Sequence, residues 1–177
     1  MDRRSHFTLL TLNVRGLRDK TKRTNIFEFC RNKGSNIAFL QETYSTEEVE
    51  DKWKSEWNGP VLFSHGTNHS KGVLVLISPN LNLKMDNVVI DKHGRYIVMK
   101  LEFQRSKLVL VNCYFPTRDK EKMQIEFLEE LDNCISKLYN SGDLSLLGGD
   151  FNIIMDGKLD YIGPRNFSKN KKNNKKN

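Results

Sequence analysis

Five polar side chains stand at one recurring kind of place in this sequence, the far end of an apolar run. Asn13 lies at the end of the first such run, Glu42 follows residues 37–40, Tyr114 closes residues 108–113, and Asp150 with Asn152 follows residues 144–147. Open α/β sheets bind ligands beyond strand ends of this sort. Two carboxylates, a phenol and two carboxamides would give such a crevice an acid, a base and a polar cradle, the set that hydrolysis calls on. Each residue also has a purely local reading. Glu42 could start a turn, Asn13 could cap the loop at Gly16, Tyr114 could be a half-buried strand aromatic, and Asp150 and Asn152 could be turn residues. It is their joint recurrence at strand ends that points to a site.

The elements that would position them alternate. Residues 7–14 read as a strand ending at Gly16, and residues 21–32 as a helix with Ile26, Phe27, Phe29 and Cys30 at helical spacing. Residues 36–41 form a short strand buried on both faces, and residues 45–57 a polar helix opening at Ser45 or Thr46. The middle turns β-rich, with strands over 61–64, 72–78, 83–90, 96–104 and 107–114. The clearest helix covers 118–140, with Met123, Phe127, Leu131, Ile135 and Leu138 as its apolar stripe, and it ends at Gly142. A last short strand, 144–147, runs into Gly148-Gly149-Asp150. Trp53 and Trp57 sit at helical spacing, which favours core packing over base stacking. This is the pattern of a layered α/β fold around mixed sheets.

The chain has 177 residues, 29 Lys+Arg against 22 Asp+Glu and a formal net charge of +7. Six of the basic residues fall in residues 165–177 with no acid among them, which leaves 23 against 22 in residues 1–164. The body is nearly neutral. The Asn/Lys-rich end reads first as a disordered, solvated tail and second as a non-specific phosphate contact. Residues 1–164 are read as one domain and 165–177 as the tail. Cys30, Cys113 and Cys134 form no Cys-x-x-Cys pair and read as reduced core residues, and the four histidines show no metal-type spacing. No apolar run approaches the ~18 residues of a membrane span, and the first residues show no signal-peptide core. The expectation is an intracellular chain, in cytoplasm or nucleus, that is not secreted and does not meet a membrane.

Asn13-Val14-Arg15-Gly16-Leu17, Gln41-Glu42-Thr43, Tyr114-Phe115-Pro116-Thr117 and Gly149-Asp150-Phe151-Asn152 together resemble the ordered motifs of the endonuclease/exonuclease/phosphatase family. The nearest branch is the apurinic-type endonuclease domain of LINE-type (non-LTR) retrotransposons, and the resemblance covers about residues 7–163. It implies a four-layer sandwich of two mixed β-sheets flanked by helices, and metal-dependent cleavage of phosphodiesters with DNA as substrate. The metal implied is Mg²⁺, with Mn²⁺ as the alternative. By the same resemblance Glu42 is the metal ligand and Asp150 orients and deprotonates the attacking water. Asn152 helps hold water and phosphate in line, Tyr114 supports the phosphoryl group, and Asn13 hydrogen-bonds around the carboxylates. No protein partner is implied, and the expected state is a monomer.

Two departures stand out. Thr117 takes a place where the family often has Asn, and the closing Asp-His pair has no counterpart, since after Asn152 the only acids are Asp156 and Asp160 and no histidine follows. The sequence therefore reads as incomplete at the C-terminus and impaired in activity. Two other readings stay open: a remnant without catalysis that binds nucleic acid through its tail, and a family phosphatase acting on another phosphoester.

Overall fold

The structure, a computed structural model, describes residues 7–117 and 121–153. The chain runs β1 (Leu9–Asn13), α1 (Lys20–Asn32), β2 (Ile37–Gln41), a 3₁₀ turn (Glu47–Val49), α2 (Glu50–Trp57), β3 (Val61–Ser64), β4 (Val73–Ile77), β5 (Lys84–Ile90), β6 (Tyr96–Phe103), β7 (Ser106–Tyr114), α3 (Glu121–Leu138) and β8 (Leu144–Asp150). Two four-stranded sheets form, ordered β1-β2-β4-β3 and β5-β6-β7-β8. Each is mixed: β1 lies parallel to β2 and β7 parallel to β8, and the remaining pairs are antiparallel.

Strand periodicity sorts the apolar side chains into three cores. Ile37, Phe39, Val73, Val75 and Ile77 point inward and meet Ile97, Met99, Leu101 and Leu110 of the second sheet. Their neighbours Ala38, Leu40, Leu74 and Leu76 point outward, where Phe27 and Cys30 of α1 and Trp53 and Trp57 of α2 cover them. On the far side, Val98, Val109, Val111 and Cys113 are covered by Phe127, Leu131, Cys134 and Leu138 of α3. The expected four layers, helices on sheet on sheet on helix, are therefore present. Both tryptophans are core residues, with 1% and 2% of their surface exposed.

Two buried cations hold helices to this frame. Arg23 of α1 donates from Nε and Nη2 to the Glu56 carboxylate and from Nη1 to the carbonyls of Leu17 and Arg18, at 2.8 and 3.2 Å. Lys100 donates to the Leu138 carbonyl at the end of α3 and to Asp143 just beyond it, where a cation complements the helix dipole.

Three expectations need correction. The helix expected over 45–57 is a 3₁₀ turn followed by α2, because Ser45 is buried in a loop, bonded to Thr43 and His65. The stripe of α3 runs through Phe127, Leu131, Cys134 and Leu138, while Met123 is 46% exposed and Ile135 only flanks the core. Alternating steps of four, three and four residues (127, 131, 134, 138) keep a helical row on one side, whereas two successive steps of four (127, 131, 135) rotate it off the face. The last strand extends to Asp150 rather than stopping at 147. The start of the helix expected at 118, together with Asp156, Asp160 and the tail from 165, lies outside the described residues.

Candidate active site

Each sheet contains one parallel pair, and a helix joins the two strands of each pair. The C-terminal ends of β1 and β2, and of β7 and β8, therefore come out at one end of the sandwich. Register does the finer work: Asn13 sits opposite Gln41, and Tyr114 opposite Asp150. All five residues singled out from sequence meet there. Asn13 Nδ2 donates to Glu42 Oε1 at 2.8 Å and to Asp150 Oδ2 at 2.6 Å. The Tyr114 phenol lies near enough to the Glu42 and Asn152 side chains for both to act on it. Asn152 Nδ2 donates to the Phe115 carbonyl at 2.8 Å, and its backbone N–H donates to Asp150 Oδ1 at 3.0 Å. One amide thus spans two carboxylates, and a short turn locks the second of them.

The backbone here is strained. Arg15, Glu42, Tyr44 and Asn152 all adopt positive φ, at 46°, 53°, 57° and 49°. For residues with a Cβ each such conformation costs on the order of 1 kcal/mol and persists only where surroundings impose it. Backbone hydrogen bonds impose it: Gly16 N–H donates to Glu42 O, Thr43 N–H to Gly72 O, and Phe115 N–H to Asp150 O. Gly149, next to Asp150, has φ 153°, and a Cβ there would lie 1.9 Å from the Cys113 carbonyl oxygen. No other residue fits, so the glycine pair that looks like a strand breaker is what lets β8 reach Asp150.

Sequence reasoning missed the floor of the site. Gln41, 1% exposed, donates from Nε2 to Asn112 Oδ1 at 2.8 Å and to Thr11 Oγ1 at 3.1 Å. Asn112, fully buried, donates to the carbonyls of Leu74 and Leu40 at 2.9 and 3.3 Å. This amide pair ties the two sheets together directly beneath the five site residues. Its signal in the sequence is an amide in the apolar run from 108 to 115, two residues before Tyr114. Tyr44 was also missed; its hydroxyl donates to Glu42 Oε2 at 3.2 Å. Burial first, and then the Glu42 carboxylate, push both Tyr44 and Tyr114 above the ordinary phenol range. Both are therefore neutral donors at neutral pH.

Beside these groups lies a cleft of about 550 Å³ lined by Thr11, Asn13, Gln41, Asp150, Asn152 and Ile153 among others. Among the described residues no three His, Cys, Asp or Glu side chains converge as a metal cage. A hard divalent cation that keeps most of its waters needs only one or two carboxylates. Glu42 and Asp150 fit that demand, since only the dipole of the Asn13 amide stands between two anions. His65 is engaged elsewhere, with Nε2 2.8 Å from Glu50 Oε1. Thr117, just beyond Tyr114-Phe115-Pro116, is exposed. Among the described residues no helix is long and apolar enough to cross a membrane.

The comparisons agree with this geometry. The sequence model described as the endonuclease/exonuclease/phosphatase family matches residues 10–162. The "Transposon TX1 uncharacterized 149 kDa protein" of Xenopus laevis is 31% identical over 151 residues, 85% of this chain. The chain spans about a tenth of that relative's length, 11%. The fold is that of TDP2 from D. rerio, solved with a single-strand DNA product, at TM-score 0.63 and 14% identity, covering 86% of this chain and 63% of that one. It is equally that of the endonuclease domain of TRAS1, a telomere-specific non-LTR retrotransposon, at TM-score 0.60 and 18% identity, covering 84% and 62%.

Proposed function

The chain belongs to the endonuclease/exonuclease/phosphatase family, and from that premise we propose that it is a divalent-metal-dependent endonuclease domain of retrotransposon type, cleaving phosphodiester bonds of DNA. The observation that carries this reading is the Asn13 amide bridging Glu42 and Asp150 at 2.8 and 2.6 Å. Two carboxylates held this close beside a cleft, with no ion pair to a cationic side chain among the described residues, suit a divalent cation and a water to be deprotonated. The relatives favour DNA as the substrate in this reading: one is a transposon protein, one a retrotransposon endonuclease domain, and one was solved with a DNA product.

Glu42 would hold Mg²⁺ through its carboxylate, with Mn²⁺ a substitute, and Asp150 would face the same space. The bound cation would neutralise charge building on the phosphoryl oxygens and leaving alkoxide. Asp150, fixed by the Asn152 backbone N–H and the Asn13 amide, accepts the proton of the attacking water. Asn152 places that water in line. The neutral Tyr114 phenol donates toward the phosphoryl group, while Asn13 keeps the two carboxylates apart in angle and together in position.

The test is nicking of supercoiled plasmid by the full chain with and without Mg²⁺, beside Asp150→Ala and Glu42→Gln proteins of matched thermal melt. Mg²⁺-dependent nicking that falls by about 10²–10⁴ in Asp150→Ala is the expected result. A cooperatively folded wild type that does not nick, or nicks equally well in both variants, overturns the reading. Hydrolysis of inositol phosphates in place of DNA would move the chain to another branch of the family.

A further inference from the structure

Tyr114 is gripped from behind by a residue that the site so far described does not use. Arg95, just before β6, places its guanidinium carbon 5.0 Å from the centroid of the Tyr114 ring. Its Nη1 donates to the Tyr114 carbonyl at 3.3 Å and to the Phe115 carbonyl at 3.0 Å. Its own carbonyl accepts the Tyr114 N–H at 2.7 Å. Arg95 therefore holds the ring face, the backbone on both sides of the following peptide, and the amide of one residue at once.

Arg95 is itself anchored. Its backbone N–H donates to Asp91 Oδ2 at 2.7 Å, and the carbonyl of the buried Asp91 accepts the Ser64 hydroxyl at 2.6 Å. The turn between them needs Gly94 at φ 71°, where a Cβ would approach the His65 carbonyl oxygen to 2.5 Å. Among the described residues no carboxylate pairs with this guanidinium within ion-pair distance. A half-buried cation facing a ring and two carbonyls gains less than one facing a carboxylate. What the position does supply is a rigid backstop for the phenol, which lies beside the Glu42 and Asn152 side chains.

We infer that Arg95 is a positioning residue that clamps Tyr114 so that its hydroxyl stays aimed into the site between Glu42 and Asn152. The inference rests on the reading of that site as a phosphodiesterase centre. A phenol that swings by even an ångström loses most of its use in a transition state, while binding of a long polyanion hardly notices.

Two measurements on the full-length chain test it, using Arg95→Gln and Arg95→Lys. The first is steady-state nicking: Arg95→Gln lowers kcat by about 10–100-fold with KM within about twofold, because the lost interaction acts only in the transition state. Arg95→Lys keeps a cation over the ring but loses the two-carbonyl grip, and recovers part of kcat. A kcat within about twofold of wild type, or a defect carried wholly by KM, overturns the inference. The second readout does not need activity. In protein labelled at the tyrosine ring carbons, with Tyr114 assigned through Tyr114→Phe, the Tyr114 ring resonance shifts or broadens in Arg95→Gln and does so less in Arg95→Lys. An unmoved resonance in a cooperatively melting variant overturns the clamp. A moved resonance in a chain that never nicks DNA upholds the clamp and overturns the proposed activity instead. Should Arg95→Gln fail to fold, Arg95→Lys carries both readouts.

Discussion

Asn112→Ala removes one acceptor and one donor group from the buried amide pair that ties the two sheets together beneath the site. Three hydrogen bonds go with it: from Gln41 at 2.8 Å, and to the Leu74 and Leu40 carbonyls at 2.9 and 3.3 Å. Gln41 keeps its bond to Thr11 at 3.1 Å, so its amide is not wholly orphaned. At about 1 kcal/mol net for each lost bond, and with the longest one discounted, the loss is about 2.5 kcal/mol. The unfilled space adds about 1 kcal/mol, for a total of about 3–4 kcal/mol. That is a large part of the 5–15 kcal/mol typical of a domain, and at this size it lowers Tm by about 6–16 °C. Urea unfolding followed by the fluorescence of the buried Trp53 and Trp57 reads it directly, because both leave a dry core on unfolding. The midpoint should fall with the m-value unchanged. In the double variant with Gln41→Ala the two costs should add to less than their sum by about 1 kcal/mol. A loss under about 1 kcal/mol, or full additivity, would show that the amide pair is not what aligns the sheets.

The remaining predictions concern the frame and the thiols. Arg23→Met leaves the Leu17 and Arg18 carbonyls without their donor and should cost about 2–3 kcal/mol by urea titration at pH 7. The hydrogen bonds of Arg23 hold the Glu56 carboxyl below the usual range, so the folded pKa is depressed. The stability it contributes is present above the unfolded value near ~4.3 and fades as pH falls through the folded one. The wild type should therefore lose stability on acidification through that window more steeply than Arg23→Met; equal slopes would sever the link. Burial pushes the Cys113 thiol up to about 12 and Cys30 up to about 11, with Cys134 also raised. A disulfide reagent at pH 8 should then find none of these three reactive in the folded chain and all of them reactive in denaturant.

Much of the frame was legible because it is local. Ile37, Ala38, Phe39 and Leu40 are apolar without alternation, which only a strand covered on both sides tolerates, and all four are fully buried. The alternation hidden in that run, odd residues inward and even residues outward, needed the second sheet to become visible. At Ser45 the reading went wrong for a related reason. A serine before acidic residues is a good helix start in isolation, but this one is taken by Thr43 and His65, and the helix begins later. Gly148 and Gly149 looked like the end of a strand, yet the crowding against Phe39 and the Cys113 carbonyl makes glycine the residue that permits the strand to continue.

Sequence alone picked out Asn13, Glu42, Tyr114, Asp150 and Asn152 as candidates, because each follows an apolar run that reads as a strand. It also determined that helices and strands alternate, because period and turn chemistry are written in neighbouring residues. Tertiary structure alone decided what those side chains touch. Asn13 and Asp150 are 137 positions apart and meet at 2.6 Å. Gln41 and Asn112 are 71 apart and meet at 2.8 Å. Local periodicity carries no information at such separations. The parallel registers within each sheet and the packing of one sheet on the other set these contacts, and with them the surroundings of Gln41, Tyr44, Arg95 and Asn112.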